Sequence, residues 1–214
     1  MKCAKNLIER LKSLPHFNKK FIHQLGKHLG LKTASIDTYI SRFLKRKEII
    51  QLKNGLYVAT DFFNKNRGDI SYSFYLANIL RTPSYVSSWT ALQYYGLVTE
   101  SIYTIISITT KVTRIYKTKA GTFAYQSVRK DLFSDFSLIK GKSTSSVGKF
   151  DFFIASPARA LFDLLYFKTH QFRGVRFENI NKLIEGTRID IKEMSKKDQT
   201  ALYAMIKKYL HHYE

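Results

Sequence analysis

Cysteine is almost absent: Cys3 is the only one in the chain. That excludes a disulfide framework and any cysteine-based zinc site. Long apolar runs are absent too. No window approaches the roughly 18 consecutive apolar residues of a membrane-spanning helix, so no membrane partner is expected. The opening Met-Lys-Cys-Ala-Lys leads into an amphipathic helical pattern, so no signal peptide is expected and a soluble, cytoplasmic protein is the default. Negative charge is scarce: 16 Asp and Glu stand against 36 Lys and Arg, a formal net charge of +20. With a pI near 9.9, such a chain favours polyanions: DNA, RNA or an acidic surface.

What is present argues for a folded protein. Hydrophobic residues make up 44% and aromatics 14% of 214 residues, enough for one large domain or two small ones. The charge is uneven. Residues 1–60 carry 13 Lys and Arg against 3 Asp and Glu; residues 61–70 carry two of each; residues 71–214 carry 21 against 11. The N-terminal segment is the denser basic patch.

Leu7, Ile8, Leu11 and Leu14 recur at helical spacing until Pro15 stops them. A second helix is predicted from Asn18 as N-cap, with Phe21, Ile22, Leu25 and Leu29 on its buried side and Gly30 ending it. After a turn at Leu31, Lys32 and Thr33, a third helix is predicted from about Ala34 to Lys47, with Ile36, Ile40, Phe43 and Leu44 as its apolar stripe. Ser35, Thr38, Tyr39, Arg42, Lys45 and Arg46 lie on the opposite side. Ile49 to Val58 alternates around Asn54-Gly55, the favoured two-residue hairpin turn, because both positions tolerate positive φ.

Two short helices, a tight turn and a hairpin, rich in Lys and Arg, are the order of a winged helix-turn-helix. On that reading the polar face of the third helix enters a major groove. Ser35, Thr38, Tyr39 and Arg42 read bases, a late Arg being suited to guanine. Lys32, Thr33, Lys45, Arg46, Lys53 and Asn54 meet the backbone or flank it, the last two from the hairpin tip. An ordinary solvated helix face and a hairpin that only closes the core are the plainer alternatives.

Asp61 to Asp69 is polar and predicts a linker, although Phe62 and Phe63 suggest that it packs somewhere. Beyond it, helices are predicted over Tyr72–Leu80 and from the cap Ser87 through about Tyr95, ended by Gly96. A strand follows over Tyr103–Thr110, then strand pairs Thr113–Tyr116 with Thr122–Val128 and Phe136–Lys140 with Phe150–Ala155. Ser156-Pro157 starts a further helix, and Asp198 to Tyr213 closes the chain as another. The fold class is therefore α+β: an N-terminal winged helix-turn-helix (1–60), a linker (61–70) and a C-terminal mixed α+β domain (71–214).

Three segments resemble the AbiEi-type antitoxins of type IV toxin–antitoxin systems. They are Asn54-Gly55-Leu56-Tyr57, the stretch Ser87-Ser88-Trp89-Thr90-Ala91-Leu92-Gln93-Tyr94-Tyr95-Gly96-Leu97, and Ala155-Ser156-Pro157-Ala158-Arg159-Ala160-Leu161-Phe162-Asp163-Leu164-Leu165. Ala158 departs from that family's pattern, which usually has Glu there. The resemblance implies a protein that binds inverted repeats in its own operator double-stranded DNA, represses its operon, and counters a nucleotidyltransferase-like toxin through its C-terminal domain. It implies no enzymatic activity and no cofactor. Read from the residues alone, Arg159 and Asp163 form an i,i+4 pair, either structural or facing a partner. Trp89 reads as a core residue. Lys111, Arg114, Lys117 and Lys119 form either an antitoxin or second nucleic-acid surface, or a solvated edge that deters strand addition.

Enzyme signatures do not assemble. Gly141-Lys142-Ser143 ends like a phosphate-binding loop, but Phe136 stands where its first Gly must be. Asp131 and Asp135 lack the spacing of a nucleotidyltransferase metal pair. Neither His23 with His28 nor His211 with His212 is placed to share a metal. A plain transcriptional regulator, with a ligand-sensing or dimerising second domain, is the main alternative function; a nuclease-type module is a third.

Overall fold

The structure is a computed structural model describing residues 2–100, 103–141 and 150–213. It is mixed α+β. Helix α1 (Lys2–Leu11) precedes β1 (Phe17–Asn18), α2 (Lys19–His28) and α3 (Thr33–Lys45), followed by the hairpin β2 (Ile49–Lys53) and β3 (Leu56–Ala59). Helices α4 (Thr60–Asn66) and α5 (Ile70–Leu80) lead to β4 (Ser84–Val86), α6 (Ser88–Tyr94) and β5 (Thr104–Thr109). Then come β6 (Arg114–Thr118), β7 (Gly121–Ser127), β8 (Phe136–Ile139), β9 (Phe152–Ala155), α7 (Pro157–Lys168), α8 (Ile180–Glu185) and α9 (Lys196–Tyr213). Among the described residues, no helix is long and apolar enough to cross a membrane.

A small sheet has the order β1-β3-β2 and a larger one the order β6-β7-β5-β4-β9-β8. The pairs β6/β7 and β8/β9 are antiparallel hairpin neighbours, whereas β5/β7 and β4/β9 run parallel. Strand β4 gave little sequence signal: it has only three residues, all buried between β5 and β9. A strand buried on both faces has no alternation to reveal it.

Capping chemistry sets the helix ends. Asn18 Oδ1 accepts from Phe21 N at 2.8 Å, and Ser156 Oγ accepts from Arg159 N at 3.2 Å. Helix α2 ends with Gly30 at φ +77°, Gly30 N donating to Lys27 O and Leu31 N to Gly26 O. Helix α6 ends the same way, through Gly96 and Leu97. In both, a left-handed Gly followed by an apolar residue satisfies the last carbonyls.

Two expectations are corrected here. Phe21 is 39% exposed, because Ile22, Leu25, Gly26 and Leu29 make up the packed side of α2 and leave it on the rim. Residues 61–70 are mostly helix α4 rather than a spacer. Phe62 is buried, its ring 5.6 Å from Tyr72 and 6.2 Å from Phe150. The two phenylalanines mark one turn of an amphipathic helix. Contacts also cross the expected boundary. Tyr72 Oη donates to Pro15 O at 2.8 Å, and Tyr75 Oη lies 2.7 Å from His16 Nδ1. Buried residues from both sides belong to one continuous apolar core.

Candidate nucleic-acid interface

Helix α3 buries Ile36, Ile40 and Phe43 and turns its other side to solvent. It lies tightly against α2 because Gly26, buried at the crossing, lets Ile36 approach. Asp37 reinforces the pair from the side, its Oδ1 2.9 Å from Lys19 Nζ and 3.0 Å from His23 Nε2. The bond to Lys19, followed by that to His23, pulls the Asp37 carboxyl below its ordinary pKa although burial opposes it. Sequence reading missed this acidic clamp, since nothing local links residue 37 to a helix before the turn. It also accounts for His23, which pairs with Asp37 rather than with His28.

Of the residues expected on the polar face, Thr33, Thr38, Arg42, Lys45 and Arg46 are exposed and Ser35 is half-buried. Lys32, the N-cap position, is exposed and makes no side-chain cap bond. Thr38 Oγ1 donates to Ala34 O at 3.0 Å, so its proton is engaged by the helix and only its lone pairs face outward. Tyr39 corrects an expectation. It is half-buried, stacked on Phe43 with ring centroids 6.3 Å apart, and the Arg42 guanidinium stands 5.9 Å from its ring centre. Its position between the polar and apolar stripes makes it a platform that orients Arg42.

The helix ends without a glycine. Lys47 takes φ +60° while its N–H donates to Leu44 O and Glu48 N donates to Phe43 O. Thr60 Oγ1 then donates to Lys47 O at 2.6 Å and Thr60 N to Glu48 O at 2.9 Å, tying the end of α3 to the strand exit.

In the hairpin, Lys53 pairs with Leu56 across Asn54-Gly55, with an irregularity between Gln51 and Lys53. Only Gly55 has positive φ, at +75°. Asn54 is exposed at the turn. Lys53, expected at a free tip, instead donates from Nζ to Leu80 O at 2.7 Å, and all four residues of β3 are buried. The hairpin is held against α5, leaving Asn54 at the turn and Gln51 of β2 exposed.

Lys111, Arg114, Lys117 and Lys119 are all exposed, on or beside the sheet-edge strand β6. They do not make one stripe. Arg114 and Lys117 are an odd number of residues apart in a strand and fall on opposite faces, while Lys111 precedes the strand and Lys119 sits in the turn after it.

The Arg159–Asp163 pair is buried at 2% and 0% side-chain exposure, with Nη2 and Oδ1 2.8 Å apart. Ser87 Oγ donates to Asp163 Oδ2 at 2.6 Å, Tyr85 Oη donates to the same oxygen at 3.1 Å, and Arg159 Nε donates to Tyr85 Oη at 3.1 Å. Burial pushes the Asp163 carboxyl upward, although Arg159, Ser87 and Tyr85 all favour its charged form. Ser87, expected as a side-chain cap, gives its hydroxyl to this network and makes no cap bond. Two of the three resembling segments thus meet at this cluster, which joins β4, α6 and α7. Ala158 is buried too. Trp89 is only half-buried at the edge of the core.

Asp131 pairs with its neighbour Arg129, and Asp135 takes φ +58° with Ser134 Oγ donating to it. Among the described residues, no three His, Cys, Asp or Glu side chains converge on a metal-sized space. Lys142 and Ser143 lie outside the described residues, as do the side chains of His211 and His212. Compared with known proteins, the chain matches no protein-family model, and no curated protein is significantly similar to it in sequence.

Proposed function

We propose that residues 1–60 act as a winged helix-turn-helix that reads operator DNA, and that the protein is an autorepressing antitoxin whose C-terminal part counters a nucleotidyltransferase-like toxin in the cytoplasm. The observation that carries the DNA half is α3. It is clamped to α2 on one side and presents Thr33, Arg42, Lys45 and Arg46 to solvent on the other. Arg42, lying over Tyr39, is the residue for base readout. Lys32, Lys45 and Arg46 serve the phosphates, and Asn54 at the hairpin turn reaches the flanking backbone. The antitoxin half rests on the resemblance of the three segments.

The test is binding of the protein's own upstream DNA against scrambled DNA across a salt series. Selective binding that persists at physiological salt supports the reading. Equal, steeply salt-dependent binding to both removes the recognition-helix assignment. Arg42→Ala is expected to cost about 1–3 kcal/mol on the selective site; an equal loss on scrambled DNA makes Arg42 a phosphate contact. Rescue of cells from a co-expressed nucleotidyltransferase-like toxin tests the other half.

A second reading, a ligand-responsive regulator, draws on one observation. A cavity of about 220 Å³ between α7 and α9 is lined by Leu132, Arg159, Phe162, Met205 and Tyr209 among others. That reading expects no rescue from the toxin.

A further inference from the structure

The hairpin and the basic sheet edge converge on a cation that sequence reading did not single out. Arg81 ends α5 at 8% exposure. Its Nη2 donates to Val112 O, and its Nε is buried with no hydrogen-bond partner among the described residues. Lys53 Nζ reaches Leu80 O, on the residue before Arg81. From the sheet edge, the Arg114 guanidinium lies 5.7 Å from the Tyr116 ring centre, and although burial pushes the Tyr116 hydroxyl upward, Arg114 and Arg81 together bring its pKa below the ordinary value. Among the described residues, no carboxylate pairs with Lys53, Arg81 or Arg114. A buried guanidinium without a counter-charge is costly, and carbonyl dipoles compensate only part of it.

We propose that Lys53, Arg81 and Arg114, with the Tyr116 hydroxyl, form a phosphoryl-binding site at the seam between the hairpin and the six-stranded sheet, filled by a backbone phosphate of bound DNA. The exposed Arg114 fork suits a phosphoryl group, which accepts several charge-assisted bonds at once, and the buried Arg81 adds its positive charge from behind it. The position suits it too, because exposed Asn54 lies next to Lys53, so a strand passing the hairpin turn runs beside the seam. The second sheet thereby takes part in DNA binding, and Lys53 acts as a wing residue from the flank rather than the tip. The DNA form of the site rests on the function proposed above; its affinity for a phosphoryl group does not.

The test uses the full chain and three variants: Arg114→Gln, Arg81→Met, and the control Lys65→Gln, which loses one charge at an exposed site on α4. Melting is followed in inorganic phosphate against chloride at matched ionic strength, and binding to any duplex is followed across a salt series. Phosphate is expected to raise the melting temperature of the wild type and of Lys65→Gln, and to do so far less for Arg114→Gln. The salt slope of Arg114→Gln is expected to shrink by about 1. If Arg81→Met fails to fold, Arg114→Gln, on an exposed strand edge, still decides the matter. Loss of the phosphate effect with an unchanged slope keeps the site and makes free phosphate its occupant. A reduced slope in Arg114→Gln alongside an inert Arg42→Ala keeps the site while the α3 reading falls. Arg114→Gln indistinguishable from Lys65→Gln in both measurements overturns the proposal.

Discussion

Gly26 of α2 and Ile36 of α3 leave no room for a methyl group between them: a Cβ on Gly26 would fall 2.6 Å from Ile36 Cδ1 and 2.7 Å from its Cγ1. The β-branched Ile36 has little rotamer freedom to move aside. The helix that presents Arg42 is therefore positioned by the absence of one side chain.

Gly26→Ala is expected to lose about 1–2 kcal/mol in a urea melt, after the helix propensity that Ala gains is set against the overpacking. Ile36→Val, which removes Cδ1, should restore part of the loss in the double variant. No recovery there would mean the clash is not the cause.

Lys47 holds a left-handed conformation that Gly adopts without cost. Lys47→Gly is expected to stabilise the chain by about 0.5–1 kcal/mol, read as a higher urea midpoint at unchanged slope. A lower midpoint would show that the lysine side chain contributes more than its backbone strain removes.

Asp163 is the acceptor for Ser87 and Tyr85 and the ion-pair partner of Arg159. Asp163→Leu leaves a buried guanidinium unpaired and is expected to cost about 3–5 kcal/mol, whereas Arg159→Met with Asp163→Leu should cost clearly less. Equal losses in the single and double variants would mean that packing volume, not charge, decides this cluster.

His16 ties the N-terminal segment to Tyr75, and burial holds its pKa below the ordinary value. The unfolded chain therefore takes up this proton first as pH falls. Stability is expected to drop from about pH 6.5 down to the depressed folded value, then level off. Comparing melting temperatures at pH 7.5 and 5.5, His16→Gln should lose less than the wild type. The Asp37 pairing acts elsewhere: its lowered pKa is a stabilisation present above the unfolded carboxylate range and lost at more acid pH. Identical pH profiles for wild type and His16→Gln would rule His16 out as the source.

Much of the fold was legible because its signals are local. Asn18 and Ser156 cap the helices that follow them, Gly30 and Gly96 end helices, and Asn54-Gly55 turns the hairpin. Each depends on residues within one turn of chain. Strand β4 and the helical nature of 61–70 were not legible, since a short buried strand lacks alternation and Phe62 is explained only by Tyr72 and Phe150.

The sequence by itself determined the excess positive charge, the order of helices and hairpin, and the residue types on the exposed side of α3. These follow from composition and periodicity, which need no knowledge of distant neighbours. Only the tertiary structure decided what each cation is free to do. It left Arg42 and Arg46 open, turned Lys53 onto Leu80, split Arg114 from Lys117 across a strand, and buried Arg81 with no carboxylate partner among the described residues. The reason is physical: the work a charge can do depends on its solvation and its counter-charges, and both are set by segments far away in the chain.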